Sequence, residues 1–171
     1  MDKEKISELL NKDLEDEHGA IIQYLIHAYS MREGEMACEI EAIAREEMRH
    51  MDWLAENIAE LGGVPSLERG KMRMDGESVA DWMKNDILLE EGALAQYEEH
   101  IRAIDNPRIK RLLQRIRSDE SAHHAILQHF VEKAQKEGQG AVALDGRLID
   151  IASIKQAEVL VKKAEEIAAA G

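Results

Sequence analysis

The chain has 171 residues, 22 Lys plus Arg against 35 Asp plus Glu, a formal charge of −13 and 44% apolar side chains. That is one domain's worth of chain with enough apolar material for a core, which excludes disorder. The negative surplus repels nucleic-acid phosphates and anionic lipid and attracts cations. Aromatics at 4% and two prolines, among abundant Ala, Leu, Ile, Met, Glu and Lys, exclude an all-β fold. No run approaches the roughly 18 apolar residues that cross a bilayer, and the charged start MDKEKISELLNKDLEDE is unlike a signal peptide, so a cytoplasmic protein is expected. The single cysteine, Cys38, closes no internal disulfide and builds no thiolate cage, which leaves carboxylates and histidines for any metal site.

Taken in chain order, the first segment places Ile6, Leu10, Leu14, Glu17, Ile21, Tyr24 and Ala28 on one helix face, with Glu17 interrupting an apolar stripe. After Gly34 the second repeats the pattern with Met36, Ile40, Ile43, Glu47, His50, Leu54, Ile58 and Leu61. Gly62-Gly63 and Pro65 then open a connector of about 16 residues, long enough at about 3.3 Å per residue to span a helix of roughly 40 Å. The third stripe is Met83, Ile87, Glu90, Leu94, Tyr97, Ile101 and Ile104. Past Asp105-Asn106-Pro107 the fourth is Ile109, Leu113, Ile116, Glu120, His123, Leu127 and Phe130. Two antiparallel hairpins joined by one long crossover make an all-α, ferritin-like four-helix bundle over residues 1–137. Residues 138–171 read as a linker and a fifth helix, opened by a capping box at Ser153-Ile154-Lys155-Gln156 and running to about Ala169.

The hairpins are quasi-repeats. EHGAIIQYLIH at 17–27 and EEGALAQYEEH at 90–100 share E-x-G-A-x-x-Q-Y-x-x-H at a shift of 73 residues, and Glu46-Glu47-Met48-Arg49-His50 falls on Asp119-Glu120-Ser121-Ala122-His123. Of three Glu-x-x-His matches, Glu15 with His18 has no counterpart at that shift and reads as accidental. Glu47 with His50 and Glu120 with His123 recur in the repeat on the apolar stripes, where i and i+3 side chains share a face and can hold a metal. Glu17 and Glu90 add one inward carboxylate from each remaining helix. Four buried carboxylates need cations, no Lys or Arg lies on the stripes beside them, and two divalent metals balance four negative charges. The expected ligand set is Glu17, Glu47, His50, Glu90, Glu120 and His123. Tyr24 and Tyr97, seven residues after Glu17 and Glu90, can donate hydrogen bonds to the opposite carboxylates or serve as core aromatics. Gln23, Gln96, His27 and His100 repeat too, but their helical phase turns them from the metals and they receive no chemistry.

These motifs, with LNKDLEDEHGAIIQY, EEMRHMDWLAENIAELGGVPSL and DESAH, resemble the ferritin-like di-iron carboxylate superfamily over about residues 5–135, within it the bacterioferritins and rubrerythrin-like proteins. The resemblance implies that Glu47 and Glu120 bridge two iron ions, manganese being the alternative, while Glu17 with His50 and Glu90 with His123 complete the two ends. It implies a ferroxidase that oxidises Fe(II) with O2 or H2O2 for iron storage or detoxification, as a homo-oligomer of at least two chains. Met48 stands where haem-binding bacterioferritins carry their haem-ligating methionine, although a methionine there is also ordinary packing. Ala42 departs from the inward histidine that many bacterioferritins carry at this place. One alternative is a rubrerythrin-like peroxide reductase with an external electron donor, since the chain lacks a rubredoxin-like cysteine module. Another is a metal-free acidic helical adapter, which leaves the doubled motif unexplained. Ile149 to Lys155, IDIASIK, resembles cargo-loading peptides of encapsulin shells apart from its non-terminal position.

Overall fold

The structure is a computed structural model. It describes the backbone of residues 1–31, 34–138, 141–144 and 147–150, and side chains among these as far as Lys133. Met1–His129 forms one compact unit and Phe130–Gly171 a second.

Four long helices carry the fold: α1 (Lys3–Ser30), α2 (Glu35–Leu61), α3 (Val79–Ala103) and α4 (Pro107–Gly138). Their ends follow local chemistry. The Asp2 carboxylate accepts from the Lys5 N–H ahead of α1, and Ser78 with Asp81 forms a reciprocal capping box at α3. Asn106 accepts from the N–H groups of Arg108 and Ile109 at 3.0 and 3.3 Å, and Pro107 takes the first position of α4, where no N–H is needed. Gly62 ends α2 in the left-handed region at φ 90°, a conformation any side chain would strain.

The apolar stripes meet in a core that includes Leu10, Leu14, Leu54, Ile58, Leu113 and Ile116, each fully buried. Each contributes about 1.5–3 kcal/mol relative to exposure. The crossover between α2 and α3 lies along α1. Asn11 donates to the Val64 carbonyl at 3.0 Å and accepts from the Ser66 N–H at 2.8 Å; the Gly70 N–H donates to the Glu15 carbonyl at 2.6 Å, and the Arg73 N–H to Gln23 Oε1 at 2.6 Å. His18 sets Nδ1 3.1 Å from the Glu68 carbonyl. The His18 ring and the Glu15 backbone carbonyl, both of the unmatched motif, therefore meet the crossover. Contact is close enough that a Cβ on Gly19 would sit 3.0 Å from the Gly70 carbonyl oxygen.

Residues 141–150 differ from the expected linker. Ala141–Leu144 and Arg147–Asp150 pair as an antiparallel ribbon, Ala141 opposite Asp150 and Leu144 opposite Arg147. The signal was present: two short runs rich in Val, Leu and Ile flank Asp145-Gly146, a dipeptide that two-residue hairpins favour. The expected helix to Ala169, and most of the 149–155 segment, fall outside the described residues.

Candidate metal centre

Each helix of the Met1–His129 unit brings part of the predicted set to one level. Glu17 comes from α1, Glu47 and His50 from α2, Glu90 from α3, Glu120 and His123 from α4, and all six are at most 5% exposed. The i, i+3 spacing stacks each Glu over its His, so His50 Nδ1 lies 2.7 Å from Glu47 Oε2. Cross-helix approaches are as short: His50 Nδ1 is 2.9 Å from Glu120 Oε1, and His123 Nδ1 is 3.0 Å from Glu47 Oε1. The ligand atoms fall into two groups, Glu17–Glu47–His50–Glu120 and Glu47–Glu90–Glu120–His123, within each of which all four atoms lie within 4.8 Å of one another. Glu47 and Glu120 belong to both.

The centre fits divalent ions. Ligand atoms about 2.0–2.4 Å from a metal stand at most about 4.8 Å apart, and each group of four here lies within 4.8 Å. Glu90 Oε2 is buried without a hydrogen-bond partner, while Glu47 Oε1, Glu120 Oε1 and His123 Nδ1, equally buried, have polar neighbours within the centre itself at 2.9–3.0 Å. Buried orphans of this kind carry the full desolvation penalty unless an ion takes them up. Among the described residues, the recorded ion pairs of the six involve one another, Glu46 and Asp119, and no Lys or Arg.

Protons hold the balance in the metal-free state. Burial, reinforced by Glu120 and Glu47, pushes the Glu17 and Glu90 carboxyls well above the usual range. Burial acts against the charge of Glu120 as well, but hydrogen bonds from His123 and His50 outweigh it and bring that carboxyl down to about 2. Desolvation would lower His123, yet Glu120 and Glu47 raise it to about 12, and His50 is raised by the same kind of contacts with Glu120, Glu17 and Glu47. A cation held here would displace these protons.

A surrounding layer fixes the orientation. The Tyr24 hydroxyl donates to Glu90 Oε1 and the Tyr97 hydroxyl to Glu17 Oε1, all four residues buried. Burial first, and the adjacent Glu90 and Glu17 charges next, push both phenols well up, so they remain donors. The imidazoles turn Nδ1 inward and Nε2 outward: His123 Nε2 is 2.9 Å from Glu46 Oε2 and His50 Nε2 is 3.4 Å from Asp119 Oδ2. A carboxylate on the outer nitrogen sets the tautomer a metal needs on the inner one. Sequence reasoning assigned Glu46 and Asp119 no role, although the shift of 73 residues aligns them as an acidic pair.

Four further residues gain a place. Gln23, His27 and His100 are buried at 0–2% exposure in the α1–α3 seam. His27 Nδ1 lies 2.7 Å from Asp86 Oδ1, to which the Gln23 amide donates at 2.8 Å. In the other half His100 Nδ1 lies 2.9 Å from Asp13 Oδ2, and the Gln96 amide donates to Asp13 Oδ1 at 3.0 Å. Helical phase does turn these side chains from the metal centre, as read, but into a polar seam rather than solvent. The missed partners, Asp13 and Asp86, stand 73 residues apart and were legible in the same repeat. Met48 is 44% exposed on α2.

The profile of the ferritin-like domain family matches residues 7–136. The chain is 33% identical over 127 residues to a bacterioferritin of Desulfovibrio desulfuricans, covering 71% of each, and 30% identical over 139 residues to one of Mycobacterium bovis, covering 77% of this chain and 86% of that protein. Among solved structures, the D. desulfuricans bacterioferritin, described with its diiron site in different catalytic states, superposes with a TM-score of 0.76 at 31% identity over 80% of this chain and 83% of that one. A stretch of 39 residues, 23% of this chain, is 59% identical to 12% of an L-malyl-CoA/beta-methylmalyl-CoA lyase of Cereibacter sphaeroides. A piece of that size buries too little surface to fold as an enzyme alone, so no lyase chemistry passes to this chain. The bundle, the doubled carboxylate-histidine arrangement and this match over more than half its length place the chain in the ferritin-like domain family.

Proposed function

We propose that the protein is a ferroxidase of the bacterioferritin type, binding two ferrous ions per chain and passing their electrons to dioxygen or hydrogen peroxide. The observation that carries this reading is the pair of four-ligand groups sharing Glu47 and Glu120. Glu47 and Glu120 would lie between the ions, with Glu17 and His50 at one end and Glu90 and His123 at the other. Imidazole and carboxylate ligation suits iron, and manganese as second choice. Bound there, the two ions supply one electron each, and dioxygen taking up two electrons and two protons leaves as hydrogen peroxide.

The chain's own residues prepare that exchange. Glu46 and Asp119 hold the outer imidazole nitrogens so that the inner ones face the ions, and Tyr97 and Tyr24 fix the terminal carboxylates Glu17 and Glu90. As ferrous ions arrive, the protons kept on Glu17, Glu90, His50 and His123 are released. The buried walls limit water at the centre. The D. desulfuricans protein with its diiron site supports the iron assignment. A homo-oligomer and a cytoplasmic location belong to the same proposal; exposed Tyr29 at 70% and Ile26 at 43% on α1 support subunit contact, and no helix among the described residues is long and apolar enough to cross a membrane.

Stopped-flow absorbance after mixing metal-free protein with ferrous iron tests the reading, in air and with peroxide. Ferric absorbance should grow quickly with the natural chain and be lost with Glu47→Ala and with Glu120→Ala. Undiminished rates in both variants would refute it.

A further inference from the structure

The chain carries a net charge of −13, yet residues 108–117 of α4, RIKRLLQRIR, hold five basic side chains and no acidic one. Two of the five meet α2: Arg108 pairs with Glu60, and the Arg115 guanidinium lies 4.1 Å over the Trp53 ring. Arg117 meets α3 instead. There it lines a cleft of about 330 Å³ with Glu98, Ile101, Arg102 and Gln114. Spacings of three and four residues put each helix's contribution on one face, and none of the six metal-centre residues belongs to the lining.

The cleft holds more positive charge than its own carboxylate can match. Glu98 Oε1 accepts from Arg102 Nη2, while Glu98 Oε2 stands 3.6 Å from Arg117 Nη2, beyond hydrogen-bond range. One carboxylate therefore serves two guanidiniums and fills only the first. Arg117 Nε is buried with no hydrogen-bond partner, a donor whose desolvation nothing offsets. The side chains of Glu98, Arg117 and Arg102 are 45%, 42% and 74% exposed, so the carboxylate can turn into water at little cost and leave both arginines free.

Charge and shape select the ligand. With Glu98 turned out, the two guanidiniums offer two charges and forked N–H donors from two helices. A dianion with oxygens in more than one plane answers both, whereas a carboxylate brings one charge and one plane, as Glu98 already does. We propose that the cleft binds a phosphate dianion, free or as the terminal group of an organic monoester, between Arg102 and Arg117, with the Gln114 amide as a further donor. Glu98 is the stand-in that occupies the arginines until the anion arrives.

Calorimetric titration of metal-free full-length protein with inorganic phosphate at low ionic strength and about pH 8, where phosphate is a dianion, tests the site. Glycerol 3-phosphate and succinate are the parallel titrants. One phosphate per chain is expected; a lower Kd for inorganic phosphate assigns the free ion, and a lower one for glycerol 3-phosphate assigns the monoester. Succinate should bind at least about tenfold more weakly than either. Arg102→Gln and Arg117→Gln should each weaken phosphate binding about tenfold, whereas Arg111→Gln, an exposed charge on α4 outside the lining, should change it less than about twofold. Glu98→Gln should tighten binding about threefold, and Glu99→Gln, its exposed neighbour outside the lining, much less. Arg102 is exposed enough that its variant reports on the site even if Arg117→Gln fails to fold. No saturable binding of either phosphate, succinate binding as tight as phosphate, or equal Kd values in Arg102→Gln and Arg111→Gln would overturn the site. Equal affinities in Glu98→Gln and Glu99→Gln would overturn the stand-in.

Discussion

Asp13 of α1 and His100 of α3 face each other across the helix seam, the Asp13 carboxylate oxygens 2.8 and 2.9 Å from His100 Nδ1, both residues at most 2% exposed. Burial raises the Asp13 carboxyl above its ordinary range, and His100 offsets part of that rise. Asp13→Ala leaves the imidazole buried without its acceptor and should destabilise the metal-free protein by about 2–4 kcal/mol. Denaturant unfolding of Asp13→Ala, His100→Ala and the double variant would read the coupling; strictly additive losses would show that the contact carries no energy of its own.

Shared and terminal ligands should behave differently. Because Glu47 and Glu120 each belong to both four-residue groups, Glu47→Ala or Glu120→Ala should weaken both positions, whereas Glu17→Ala should spare the one built around His123. Equilibrium cobalt titration should show one tight ion in Glu17→Ala and none in Glu47→Ala. One tight ion in both would remove the case for sharing.

Loss of a phenol should act through the carboxylate it holds. Tyr97→Phe removes the donor to Glu17 and keeps the ring, so folding should persist while ferrous oxidation slows about tenfold. Ferric absorbance after rapid mixing measures the rate, and thermal unfolding checks the fold.

Metal-free stability should decline as pH rises. Glu17, Glu90, His50 and His123 all bind protons more tightly folded than unfolded. Their contribution is complete below the unfolded values, near 4.5 for the glutamates and 6.5 for the histidines, and is lost as pH climbs through the folded values, about 12 for His123. Glu120, lowered to about 2, acts oppositely: its contribution is present above 4.5 and lost as pH falls through about 2. Urea midpoints should therefore be higher at pH 6 than at pH 9. Saturating divalent metal should reverse the trend, since metal and protons compete for the same atoms. A midpoint that rises between pH 6 and 9 without metal would contradict the assignment.

Helix boundaries and the clustering of the six carboxylate and histidine residues were legible because both follow short-range rules. A period of 3.6 residues put Glu17, Glu47, Glu90 and Glu120 on apolar stripes, and the repeat selected Glu47–His50 and Glu120–His123 over Glu15–His18. Glu46, Asp119, Asp13 and Asp86 escaped notice although the same repeat aligns them. An acidic residue one position off a stripe looks solvated until a partner helix is placed against it, and only then does Glu46 meet His123 or Asp86 meet His27.

The sequence by itself determined the helices, the two hairpins and the six residues that converge between them, since side-chain periodicity and a repeat are properties of one chain read along its length. Tertiary structure alone decided which imidazole nitrogen faces inward, which carboxyls keep their protons, and that the crossover covers Gly19. Those depend on distances between segments far apart in the chain, where a shift of one or two ångströms turns a buried charge into a ligand.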